Sequence, residues 1–125
     1  MGMGMMCTLF VVFNPRVGRA QCDCVHVVET DTLTLDGEVT TVAPGETVCV
    51  RGGPREFLRL ENLQGSQGSP IVVRNCEGRV LIDNQERGYG LLVHASRHLH
   101  ITGTGDASEL YGFDVRASRT GPEYS

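Results

Sequence analysis

The sequence predicts an all-β chain of the β-solenoid type, and three observations predict it. Glycine is frequent, at 16 of 125 residues, while aromatics make up only 6% and tryptophan is absent. The usual glycine level is roughly 7%. Short runs rich in Val, Ile, Leu and Thr recur between Gly, Asn, Asp and Pro signals, with no sustained helical periodicity. An internal repeat completes the set. YGLLVHASR at 89–97 returns as YGFDVRASR at 111–119, matching at six of nine positions across 22 residues. A short period of this kind marks repeats that stack and bury a shared core.

The chain opens on an apolar run, MMCTLFVVF at 5–13, followed by Gly18-Arg19-Ala20 with small residues at the −3 and −1 positions of a cleavage site. This resembles a secretory signal peptide over residues 1–20. No positive residue precedes the run, so a misassigned start codon is its rival. The run is too short to span a bilayer, and no membrane span is expected. Cleavage would remove Cys7 and leave Cys22, Cys24, Cys49 and Cys76 as disulfide candidates in a secreted, disulfide-permissive setting. The pairing is not readable from sequence. Cys22-Asp23-Cys24 has CxC spacing with no second tight pair, which argues against zinc.

Residues 21–43 are expected to form an N-terminal cap with its leading strand, 44–119 the β-helix turns and 120–125 a tail. The strand runs are Thr32–Leu35, Thr47–Val50, Phe57–Leu60, Ile71–Val73, Val80–Ile82, Leu91–Val93, Leu99–Thr102 and Phe113–Val115. They sort into two interleaved series. Val48/Val50, Ile71/Val73, Leu91/Val93 and Phe113/Val115 follow one another at steps of 23, 20 and 22 residues. Leu58/Leu60, Val80/Ile82 and Leu99/Ile101 follow at 22 and 19. Alternation turns these residues inward. Tyr89 and Tyr111 are expected to stack at the edge of the first series. Gly52, Gly53, Gly65, Gly78 and Gly103 read as corners. So do Asn62, Asn75 and Asn84, where asparagine tolerates a left-handed backbone and bonds local groups.

The stretches PGETVCVRGG (44–53), LRLENLQGSQGSPIVVRNCEGRVLIDN (58–84) and HLHITGTGD (98–106) resemble the start of right-handed parallel β-helix proteins of the pectate-lyase-like superfamily. The resemblance covers about residues 36–118. It implies a secreted right-handed parallel β-helix of about three to four turns, and a possible polysaccharide ligand. Family members have more turns, with catalysis on central ones. The expectation is therefore a piece truncated at its C-terminus. No cofactor is expected within it, calcium being a possibility for the full-length protein.

The net charge of −4 and pI near 5.5 do not ask for a nucleic-acid partner. All 11 basic residues other than histidine are arginine. In the series above, Arg51, Arg74, His94 and Arg116 follow the inner valines and would form one outward column about 4.8 Å apart. Such a column would suit an acidic glycan. The plainer alternative is four solvated residues whose stems cover the sheet. His98 and His100 flank Leu99, but the series places Arg59 and Leu81 beside His100, which argues against a metal site. The outward acids Asp83, Asp106 and Asp114 do not stack in that register, so no catalytic set is assembled.

Three functions follow. The first is a non-catalytic portion of a secreted β-helix protein that binds or processes polysaccharide. The second is a polysaccharide lyase or glycoside hydrolase whose active site lies on later turns. The third is a surface adhesin or structural solenoid.

Overall fold

The computed structural model describes residues 21–86 and 88–117. The proposed leader, with Cys7, and the 120–125 tail lie outside the described residues. Among those described there is no helix. The eight strands are β1 (His26–Val28), β2 (Thr34–Asp36), β3 (Thr47–Arg55), β4 (Leu58–Glu61), β5 (Ile71–Asn84), β6 (Leu91–His94), β7 (Leu99–Thr102) and β8 (Phe113–Ala117). The chain alternates between two sheets and returns to each in parallel. The first has the order β1-β3-β5-β7, with β8 also pairing β5. The second has the order β2-β4-β6.

Each predicted strand run falls in or against one of these strands. The runs 71–73 and 80–82 are two arms of one strand, β5. It bends at Glu77 and Gly78, whose φ values are 51° and 111°. The first arm carries β7 and the second carries β8. β3 bends in the same way, with its register shift between Arg51 and Gly53. Gly53, at φ 118°, sits at that bend. Gly78 and Gly53 thus supply a left-handed backbone that a side chain rarely adopts.

Most of the residues predicted to face inward do so, whereas Val93, Ile101 and Val115, also predicted inward, are 44%, 38% and 43% exposed. Val48, Val50, Leu58, Leu60, Ile71, Val73, Val80 and Ile82 are buried in one cluster, with Leu91, Leu99 and Phe113 packed against it. The stacking differs from the predicted series. Val48 pairs with Val73, two residues beyond the predicted Ile71. Leu60 pairs with Val93, Ile71 with Leu99, and Val80 with Phe113. The two copies of the repeat lie in different sheets, because β6 pairs β4 whereas β8 pairs β5. Their likeness reflects a similar local task, a glycine followed by a strand, and not neighbouring positions in a stack. Gly90 lies against Val115 and Ile82; Gly112 lies against Gly103 and Asn75. Tyr89 accordingly meets Phe57 edge-on at 6.1 Å, while Tyr111 is exposed.

Of the three asparagines, only Asn62 is left-handed, at φ 56°. Asn75 and Asn84 point inward and are buried. Both still bond local backbone, with Asn75 Nδ2 donating to the Gly78 carbonyl and Asn84 Nδ2 to that of Tyr89. Asp106 is buried beside Asn75. It accepts from the Gly78 N–H at 2.7 Å and from the Ser108 N–H and hydroxyl. These bonds replace the water that buried polar groups give up.

Two carboxylates fix the loop between β2 and β3. Asp36 accepts from Asn62 Nδ2 and the Glu38 N–H; Glu46 accepts from the Ala43 N–H and lies 2.8 Å from His26 Nε2. The Asn62 and Glu38 bonds hold the Asp36 pKa below its ordinary value, and the Ala43 and His26 bonds do the same for Glu46. A depressed folded-state pKa gives stability that is present above the unfolded value and lost as pH falls through the folded one. Thermal stability is therefore expected to decline below about pH 4, near the unperturbed carboxylate range. The Asp36→Asn/Glu46→Gln pair should flatten that decline. An acid limb as steep in the double variant as in the parent would contradict it.

Candidate functional site

The predicted outward column does not form. Arg51 pairs in register with Cys76, Arg74 with Cys49 and Thr102, His94 with Glu61, and Arg116 with Asp83. In this register no two of the four pair with each other, and His94 lies in the other sheet. Arg51 lies between two acids, its Nε 2.6 Å from Glu29 Oε1 and its Nη1 2.9 Å from Glu77 Oε1. The Glu29 hydrogen bond leads in raising its pKa further. Arg74 Nη2 stands 3.9 Å from Cys24 Sγ. Arg116 donates from Nη2 to Asp114 Oδ2 at 3.0 Å and from Nε to Oδ1 at 3.2 Å. His100 lies beside Val72, not beside Arg59 and Leu81. Among the described residues no group of three or more His, Cys, Asp or Glu side chains could hold a metal ion.

The four predicted cysteines form two bridges. Cys22 joins Cys76 and Cys24 joins Cys49, with Cα separations of 5.2 and 5.8 Å. Both fit normal disulfide reach. They hold the segment before β1 over the outer side of β3 and β5, which explains why Cys49 and Cys76 are buried. That half of the outer face is covered.

The other half is open. The second arms of β3 and β5, with β8, form a groove of about 590 Å³ lined by Pro54, Arg55, Glu56, Leu81, Ile82, Asp83, Asp114 and Arg116. Strand alternation builds it. Pro54, Leu81 and Asp114 are in register across the three strands, and Asp83 is in register with Arg116. Leu81 is the apolar floor, partly exposed between charged neighbours. The Arg116 hydrogen bond, with the nearby charges of Arg116 and Arg79, holds Asp114 ionised below its usual pKa, against a smaller opposing effect of burial. Asp114 in turn raises the Arg116 pKa.

Arg55 is withdrawn from the groove mouth. It is buried, and its guanidinium donates to the carbonyls of Thr32, Arg51 and Val28. Burial lowers its pKa, and the charges of Asp31 and Glu29 oppose that. Its Nε has no hydrogen-bond partner. Among the described residues that line the groove, three carboxylates, of Glu56, Asp83 and Asp114, stand against one accessible guanidinium, of Arg116. A polyanion would meet net repulsion there. Ionised carboxylates accept strong hydrogen bonds from hydroxyl groups, and a guanidinium donates strong ones to hydroxyl oxygens.

Sequence reasoning reached Arg116, Asp83 and Asp114 but did not bring them together. The signal was present: the even alternation of Arg79, Leu81 and Asp83 after Gly78 marks one outward face. Comparison of the chain with protein-family models, curated proteins and solved structures yields no match. Among the described residues, no helix is long and apolar enough to cross a membrane.

Proposed function

We propose that the chain is a non-catalytic, polysaccharide-binding portion of a secreted right-handed parallel β-helix protein of the pectate-lyase-like type. Repeated parallel returns to two sheets around one aliphatic core support the solenoid reading. Two disulfides support an oxidising compartment. The observation that carries the ligand is the open groove over Leu81, with Asp83, Asp114 and Arg116 at its sides. Its excess of carboxylates shifts the preferred ligand from an acidic glycan to a neutral, hydroxyl-rich one.

Affinity electrophoresis through gels holding a neutral polysaccharide or polygalacturonate tests this. The chain should be retarded by the neutral polymer. Asp83→Ala and Arg116→Ala should each weaken retardation about tenfold, the scale of one hydrogen bond to a charged group. Arg51→Ala should migrate like the parent, since Arg51 is engaged by Glu29 and Glu77 away from the groove. Equal retardation of parent and both groove variants, or retardation by polygalacturonate alone, would overturn the proposal.

A further inference from the structure

A second hollow, of about 390 Å³, adjoins the groove on the same outer face. Gly52 and Gly53 of β3 line one side, Glu109 of the loop before β8 lines another, and Glu77–Arg79 of β5 lie between them. Leu81 borders both the hollow and the groove. Gly53 pairs with Val80 and Pro54 with Leu81, while Val80 pairs with Phe113 and Leu81 with Asp114. Hollow and groove are therefore successive stretches of one trough along β5. Arg79, Leu81 and Asp83 are the exposed residues at alternate positions of its floor.

Buried groups build the hollow. Asn75 and Asp106 are both fully buried. Asp106 Oδ2 accepts from the Gly78 N–H at 2.7 Å, and Asn75 Nδ2 donates to the Gly78 carbonyl at 2.9 Å. Asn75 Oδ1 accepts from the Gly105 N–H, and the Asp106 carbonyl accepts from the Glu109 N–H. These bonds tie the loop to the bend of β5. They set Glu109 Oε1 3.3 Å from Arg79 Nε, with both side chains partly exposed. A guanidinium has five N–H donors and a carboxylate several acceptor sites, so this loosely joined pair can bond a ligand as well. The glycines opposite place no side chain over them.

The trough is blocked at the hollow. The Cys22–Cys76 bridge stands one residue before Glu77, and the Cys22 N–H donates to Glu77 Oε2 at 3.4 Å. The Cys24–Cys49 bridge fastens the same segment to β3. A ligand lying along β5 meets this crossing segment just past Arg79, whereas the open groove over Leu81 leads the other way. We infer that the hollow receives the end of a neutral, hydroxyl-rich chain whose body lies in the groove, so that the protein recognises chain ends and not mid-chain segments. The inference rests on the polysaccharide reading and adds Arg79 and Glu109 as the residues that bond the terminal unit.

Isothermal titration calorimetry on the oxidised full chain, with size-fractionated oligomers of the neutral polysaccharide that retards it, tests this. The number of protein copies bound per oligomer should stay constant as the oligomers lengthen. Arg79→Ala and Glu109→Ala should each weaken binding about tenfold, the scale of one hydrogen bond to a charged group. Their pairing is partly exposed and weak, so both variants should keep the parent's far-UV circular dichroism spectrum. Copies bound in proportion to oligomer length, or parent affinity in both variants, would overturn the inference; Asp83→Ala would still weaken retardation, and the glycan reading would stand. A parent that no neutral polysaccharide retards would overturn the glycan reading and the inference with it.

Discussion

Leu60→Ala should lower the unfolding free energy by about 2–5 kcal/mol, the range for emptying a well-packed aliphatic site. Leu60 is fully buried, with Leu35 above it and Val93 below in register. It is the middle layer of its column, and its neighbours belong to strands tied in place by backbone bonds. Asn62 N–H donates to the His94 carbonyl, and Arg59 N–H to that of Leu33. The walls of the cavity therefore cannot collapse freely, which puts the loss toward the upper part of the range. Val39→Ala is the control, since Val39 is exposed beside β2 and should change stability by about 0.5 kcal/mol or less. Urea unfolding with a shared m-value would measure both. A Leu60→Ala loss no larger than that of Val39→Ala would mean that the column is not packed as described.

That column also shows what the sequence could and could not disclose. The inward side of each strand was legible, because alternation within a strand is a local property. Leu58/Leu60, Val80/Ile82 and Ile71/Val73 all turned inward as their spacing required. Which strand lies on which was not legible. It depends on how much chain each return consumes, and that length varies: 22 residues from His26 to Val48, 25 from Val48 to Val73, and 33 from Leu60 to Val93. The 22-residue echo between 89–97 and 111–119 suggested one constant period. The bend at Glu77-Gly78 breaks it by making one strand serve two faces. The candidate site suffered the same loss. Asp83 and Arg116 meet only because β8 returns to the second arm of β5. With the shorter period, Arg116 was stacked with Arg51 and Arg74 instead, and a basic stripe appeared where the chain has a mixed-charge groove.

Removing the Cys22–Cys76 bridge, as Cys22→Ala/Cys76→Ala, should cost about 4 kcal/mol, and removing Cys24–Cys49 about 3.5 kcal/mol, from the loop-closure dependence on loop length. The sequence separations are 54 and 25 residues, which sets the order. The smaller loop lies within the larger one, so losing both should cost less than the sum. The two bridges act on the same short segment, which crosses the outer side of β3 and β5 at Cys49 and Cys76. Loss of both should therefore expose that half of the face, where Arg74 lies near Cys24, while the groove over Leu81 on the other half keeps its strands. Peptide mapping without reduction checks the pairing, and urea unfolding of each double variant checks the order. A peptide linking Cys49 to Cys76 would contradict the placement of the segment. Equal stability of the parent and the Cys22/Cys76 variant would show that the crossing segment does not constrain the chain, and the outer face beneath it would then be free to bind alongside the groove.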